Sequence, residues 1–396
     1  VTVHELLDLA LRWVHLIAGI MWIGNSMLFN WLDRNLVTPS GAGPLVDGEI
    51  WLLHSGGFYQ VEKKQLAPHE MPAELHWFKW QNGITWLSGI SLLVVVYYLQ
   101  GAAFLLDPQV AALDPTAAVA LCVMVIAGAW LAYDLIWSFA RAGSIGATSL
   151  SFALLALAAW GLTHLLSGRA AYIHIGVILG TLMTGNVWLH ILPSQRALVA
   201  ATKAGEPQDR TLALRAKQRS IHNNYMTFPL LFIMISNHFP STYADPRAWL
   251  VLFVLMLAGA GVRHMMNIRF HYARWLPWTL AIATVATALL FALTARPAPA
   301  ASAGAAAFAD VRGVVEHRCR PCHSATPSDH TFPAAPLGIV LDTPEQIQRM
   351  APRIAVRAVE QRSMPFLNRT QMTDDERALL GRWIAAGAEI EPAVPR

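Results

Sequence analysis

Charge is what this sequence has little of. Only 14% of its 396 residues are Asp, Glu, Lys or Arg, against roughly 25% in soluble proteins. That deficit excludes an ordinary soluble protein and points to a membrane protein. Cysteine is scarcer still, with three in the chain. Cys319 and Cys322 stand close together, while Cys122 lies alone in an apolar run and reads as a buried, inert thiol. No disulfide framework is implied. The net charge of +4 is too modest to call for nucleic acid as a partner. A signal-peptide pattern is also missing. The first apolar run is too long for one and lacks a clear small-x-small site, so it is expected to persist as a first helix.

What is present is apolar. The mean hydropathy is +0.40, and fifteen tryptophans suit interfacial belts or a core. A membrane-spanning helix needs about 20 mostly apolar residues. Eight runs qualify, at 7–31, 82–100, 117–139, 146–166, 171–194, 224–238, 247–268 and 275–295. The sixth is short and carries Pro229, so it is expected to begin before Asn224 with a polar first turn buried against protein. The predicted fold is all-α: a polytopic bundle of eight transmembrane helices over residues 1–295, then a different unit. Residues 296–306, within "RPAPAASAGAAA", read as a flexible linker, and 307–396 as a small soluble domain that needs a staple such as a cofactor.

The staple is written as "CRPCH". Cys319, Cys322 and His323 form Cys-x-x-Cys-His, the pattern of c-type haem attachment. The two thiols bond the porphyrin vinyl groups, and His323 follows at once as the proximal iron ligand. A redox dithiol or half a zinc site is the competing reading. No second cysteine pair and no thioredoxin-like pattern supports it. A downstream methionine is expected as sixth ligand, which raises the potential and suits electron acceptance. Met364, in "RSMPF", is favoured over Met350 and Met372, because the following proline keeps the segment extended. Met372 precedes a capping box, Thr373 to Glu376, opening a last helix whose Leu379, Leu380 and Trp383 should pack on the haem-bearing helix. This is the build of a small class I cytochrome c.

Such a tail belongs outside the cytoplasm, and an even number of spans puts the N-terminus there too. The loops then facing inward hold Arg34, Lys63, Lys64, Arg141, Arg196, Lys203, Arg210, Arg215, Lys217, Arg219, Arg269 and Arg274. Those facing outward hold Arg169 and Arg247. The positive-inside rule agrees with the haem argument. The expected location is a bacterial inner membrane, with the N-terminus and haem domain periplasmic.

Two further patterns stand out. The first loop, about fifty residues long, concentrates His54, Tyr59, Gln60, Glu62, Lys63 and Lys64 near Gly56 and Gly57. Loops of that length are uncommon unless functional. An amphipathic interfacial segment with solvated charges is an equal reading. Histidines in or beside the spans fall in two layers. His15, His164 and His174 lie toward the outside, and His54, His76, His190, His222, His264 and His271 toward the inside. Singly, each reads as a helix–helix hydrogen bond; as a set they exceed what structure usually requires. Helices 1 and 5 share a histidine followed by Gly-Asn ("VHLIAGIMWIGN", "IHIGVILGTLMTGN"), a weak internal repeat.

The runs "LRWVHLIAGIMWIGNSMLFNWLDRNL" and "GEIWLLHSGGFYQVEKKQLAPHEMPAELHWFKWQ" and the tail "CRPCHS…MPFLNRTQMTDDERALLGRWIAAGA" together resemble the bacterial membrane-bound, cytochrome c-linked urate oxidase (urate hydroxylase) family. The resemblance covers nearly the whole chain. It implies oxidation of urate to 5-hydroxyisourate. Water supplies the oxygen, and two electrons pass to the haem and on to a respiratory cytochrome or terminal oxidase rather than forming hydrogen peroxide. Such a site must hold a flat anion, take a proton and direct water to the ring. His54, Lys63 and His76 are the candidate catalytic groups, and Phe58, Gln60, Lys79, Asn223 and Arg263 the candidate substrate-binding groups. The pocket is expected in the cytoplasmic half, where polar groups accumulate. His15, His174, His222 and His264, with His76 and His190, are candidates to clamp a haem b between the layers. The alternative is a non-urate electron-transfer subunit that oxidises quinol through intramembrane haem.

Overall fold

The computed structural model describes residues 3–390 except 44, 100–103, 108–109, 142, 296–305, 330 and 333. The expected linker at 296–306 therefore lies outside the described residues, apart from Ala306. The chain is mostly helical.

Helix α1 spans Val3–Asn35 and packs on α2, Trp80–Leu93, which continues through a π turn to Tyr98. Then come α3, Pro115–Phe139, and α4, Ile145–Thr163, each opened by a side chain accepting from a first-turn N–H, Asp114 and Ser144 respectively. Helix α5, Gly168–Gly185, runs through a π turn, Asn186–Ile191, into α6, Leu192–Ala204. Helices α7, Arg210–Ile235, α8, Ala248–Ile268, and α9, Trp275–Thr294, complete this part. Helix α5 is its core. It packs on α3, α4 and α7, and buries Tyr172, His174, Ile175, Ile178 and Leu179. By contrast α1 turns Trp13, Leu16, Ile17 and Ile20 outward. An apolar face that wide has lipid as its natural solvent.

Among the described residues, six helices are long and apolar enough to cross a membrane: Val3–Asn35, Pro115–Phe139, Ile145–Thr163, Gly168–Ala204, Ala248–Ile268 and Trp275–Thr294. The other two expected spans are helical too, but both begin with polar turns, around Gln81 and Asn82 in α2 and over Arg210–Asn224 in α7. As expected, the sixth run starts before Asn224, at Arg210.

The all-α reading needs correction at the first loop. There β1, Val46–His54, pairs antiparallel with β2, Gly57–Lys64. Ser55 and Gly56 join them with positive φ at both positions (51° and 78°). This is the backbone a tight two-residue hairpin needs, and Gly56 adopts it at no steric cost.

The tail has its own core. Helices α10, Phe308–Arg318, α11, Pro344–Ile354, and α12, Asp374–Ala385, bury Val311, Val315, Ile347, Met372, Leu380 and Trp383 together. The capping box is present: Glu376 N donates to Thr373 Oγ1 at 3.2 Å, and Thr373 N to Glu376 Oε2 at 2.7 Å. The tail meets the helical bundle where Phe366 stands edge-on to Phe104, ring centroids 5.2 Å apart, with the Arg169 guanidinium 6.0 Å from the Phe366 ring. Phe104 and Arg169 mark one end of the bundle.

Candidate functional site

In the tail, Cys319 caps the C-terminus of α10, and the next turn brings His323 N to Cys319 O at 2.9 Å. His323 Nδ1 donates to the Ile339 carbonyl at 3.0 Å. That bond fixes the tautomer with the proton on Nδ1 and leaves the Nε2 lone pair available to a metal. Leu341 N donates to His323 O at 2.8 Å, tying the same loop down again. Burial pushes the Cys319 thiol up to about 12, and burial, then Asp329, pushes Cys322 up to about 11. Neither is a ready thiolate, which weighs against redox dithiol chemistry. These features fit a covalent haem c. Of the three methionines, Met372 is fully packed in the core and its backbone is clamped by Asn368 through bonds of 3.0 Å each way. Met350 and Met364 lie at the edge of that core.

At the opposite end of the bundle lies a cavity of about 430 Å³. That is within the usual small-molecule range of roughly 300–1,000 Å³. Trp22, Asn25, Ser26 and Phe29 come from the second half of α1. His76, Trp77, Phe78 and Gln81 come from the approach to α2 and its first turn. Met183, Val187, Gln195 and Val199 come from the α5–α6 run, and Ser220, Asn223 and Thr227 from α7. Phe29 and Phe78 meet edge to face at 5.1 Å. A second cavity of about 440 Å³ adjoins it, sharing Ile191, Gln195, Leu198 and Ser220, and runs to Pro207 and Asp209 at the α6–α7 turn.

Behind the cavity is a polar network. Asn223 Oδ1 accepts from Asn186 Nδ2 at 2.8 Å, and Asn223 Nδ2 donates to Met183 O at 3.0 Å. Asn186 also donates to Tyr133 Oη at 2.9 Å. Arg219, 4% exposed, reaches Asp134 at 2.8 Å, and His190 Nε2 donates to the same carboxylate oxygen at 2.7 Å. Of the two Gly-Asn pairs in the sequence, Asn25 lines the cavity and Asn186 holds Asn223 in its wall.

Of the residues expected to act on substrate, only His76 and Asn223 line this cavity. His54 ends β1 and is exposed; Phe58 is 76% exposed. Gln60 donates to Glu49 at 2.6 Å and Lys63 to Asp33 at 2.8 Å, both on the exposed hairpin side. Lys79 lies over the Trp80 ring at 5.6 Å. Arg263 is buried, donating to Asn224 Oδ1 at 2.9 Å. Gln81, Asn25, Ser26 and Gln195 were not among the expected groups. Gly-Asn in α1 and the polar start of α2 were the signals available for them.

The histidines considered for haem b are each tied to a different neighbour. His15 Nδ1 donates to Thr85 O at 2.9 Å, and His174 bonds both Ala170 O and Tyr98 Oη. His222 pairs with Tyr133 Oη and His264 with Tyr225 Oη, each at 2.7 Å. His174, fully buried, has both ring nitrogens engaged, and no two of the four meet in a ring contact or hydrogen bond. Each of these histidines therefore bridges two elements of the bundle through its own partner.

No curated protein and no solved structure matches the chain. Residues 1–295 match the family model described as urate oxidase N-terminal. This stretch is the whole helical bundle with its hairpin and cavity, and it supports a urate-related oxidoreductase. The chain belongs to the urate oxidase N-terminal family.

Proposed function

We propose that this protein is an integral membrane urate oxidase, with eight spans, that passes electrons to a C-terminal c-type haem. The reaction balances as urate plus water giving 5-hydroxyisourate, two protons and two electrons. The family match over residues 1–295 carries this reading, in a chain whose following domain holds Cys319, Cys322 and an oriented His323. Haem bound there would supply one-electron redox chemistry, with Cys319 and Cys322 as the residues that would attach it and His323 and Met364 as those that would hold its iron. A respiratory cytochrome or terminal oxidase, met on the periplasmic side of the inner membrane, is the onward acceptor.

The chain's own residues bind and orient the substrate and move its protons. The aromatic walls suit a flat ring, and the side-chain amides suit its N–H and carbonyl edge. His76 lines the cavity and is exposed, which supports it as the base that takes a proton from bound urate and releases it to water. The cavity and the tail lie at opposite ends of α2 and α5. From Gln81 to Tyr98 is roughly 25 Å at about 1.5 Å per residue, so an electron carrier is required between them.

The deciding test is anaerobic. Urate added to the purified protein should reduce the c-type absorbance, with 5-hydroxyisourate formed and no peroxide. Reduction by quinol but not by urate would replace this reading with that of a quinol-oxidising electron-transfer subunit.

A further inference from the structure

We propose that the cavity of about 430 Å³ between α1, the start of α2 and the α5–α7 wall is the purine-binding site, with Gln81 as its specificity-determining residue, accepting one ring N–H of the substrate. This rests on the urate reading above and gives it a place and a mode of recognition.

The observation behind it is an orphaned acceptor. Gln81 lines the cavity, and its Oε1 is buried without a hydrogen-bond partner. Buried polar atoms are paired in the great majority of cases, and an unpaired one at a cavity wall fits a ligand that supplies the donor. Asn223, from α7, lines the same cavity and offers the complement. Its Oδ1 is held by Asn186 and one amide hydrogen goes to Met183 O, which leaves the second amide hydrogen for a carbonyl. An acceptor and a donor lining one cavity match an oxidised purine, where N–H and C=O alternate around a flat ring. Phe29 and Phe78 provide the apolar faces.

Asn223 does not turn freely. Asn186, which fixes its oxygen, is also bonded to Tyr133 and lies beside the Arg219–Asp134 pair. The donor is therefore preorganised. No Lys or Arg lines the cavity among the described residues. Selection then rests on the pattern of N–H and C=O groups rather than on formal charge. A site built to hydrogen-bond a given N–H rejects the analogue lacking it, because its own polar group is left unpaired.

The test is equilibrium binding to the full-length protein in detergent, anaerobic and reduced with dithionite so that bound urate is not consumed. The probes are urate and its singly N-methylated isomers. Wild type is expected to bind urate and to reject at least one isomer by about tenfold or more. Gln81→Met should weaken urate binding by about tenfold and remove the discrimination against that isomer. Val199→Trp, which fills the cavity from α6, should abolish binding of all the probes. An intact c-type spectrum and monodisperse elution identify each variant as folded. If wild type binds urate but Gln81→Met binds the whole panel as wild type does, or Val199→Trp still binds, the pocket assignment is overturned. A wild type that binds no urate overturns the functional reading along with it.

Discussion

Arg377 Nη1 donates to the carbonyl oxygen of Met364 at 2.7 Å. The guanidinium is buried and also reaches Asn368 Oδ1 at 3.1 Å and the Ala358 carbonyl. One side chain of α12 thus holds the segment that presents the expected sixth ligand. Arg377→Met should loosen that segment without touching the attachment site. The expected result is covalent haem retained, a lower midpoint potential as methionine ligation weakens, and a loss of roughly 2 kcal/mol or more in tail stability. Redox titration and thermal melting of the full chain check this. An unchanged potential in both Arg377→Met and Met364→Ala would move the sixth ligand to Met350.

Turnover should depend on the covalent haem. The double variant Cys319→Ala, Cys322→Ala leaves the helical bundle and its cavity untouched, since the motif lies wholly in the tail. Urate binding should persist and steady-state oxidation should stop. Normal turnover in that variant would mean that electrons leave from the bundle directly.

Acid should weaken the tail through Glu376. Burial pulls its carboxyl up, but the hydrogen bond from Thr373 N and the Arg318 guanidinium at 3.0 Å outweigh this, and its pKa falls below the ordinary value. A depressed folded pKa contributes stability above the unfolded value of about 4.3 and loses it as pH falls through the folded one. Glu376→Gln should therefore lower the tail's melting temperature at neutral pH. The gap from wild type should close below about pH 4. A gap that stays constant with pH would show that the Arg318 pair contributes nothing.

The Arg219–Asp134 pair makes a prediction about the bundle. Arg219 is 4% exposed, so its removal strands Asp134 beside His190 alone. Arg219→Met should cost about 3 kcal/mol, and adding Asp134→Leu should restore part of it, because the lone carboxylate is then gone. Thermal melts in detergent of the two single variants and the double variant measure the coupling. Additive losses would mean that the two side chains act independently.

The separation of cavity and tail predicts more than one redox centre per chain. A haemochrome assay combined with acid-acetone extraction should find an extractable chromophore in addition to the covalent haem. One c-type haem per chain and nothing extractable would require the substrate to sit at the tail end, near Arg169 and Phe104.

Much of the helical layout could be read in the chain because apolar runs and capping residues are local signals. Ser144 and Asp114 open helices where the runs begin, and Thr373 and Glu376 close their capping box over three residues. The hairpin was missed because its residues, from "EIWLLH" to "FYQVEKK", mix charge and aromatics without clean alternation. Only the Ser55-Gly56 turn marks it. Once paired, those strands carry His54, Phe58, Gln60 and Lys63 away from the cavity.

By itself the sequence determined the Cys-x-x-Cys-His motif, since Cys319, Cys322 and His323 need only the reach of one turn. It also determined where helices run and that the chain belongs among lipids. Only the tertiary structure decided the cavity. Gln81 opens α2 and Asn223 lies midway along α7, and nothing along the chain says that they face one space. Helical periodicity tells which way a side chain points. What stands opposite depends on how α5 packs between its neighbours, and that is set by side-chain volume across helices distant in sequence.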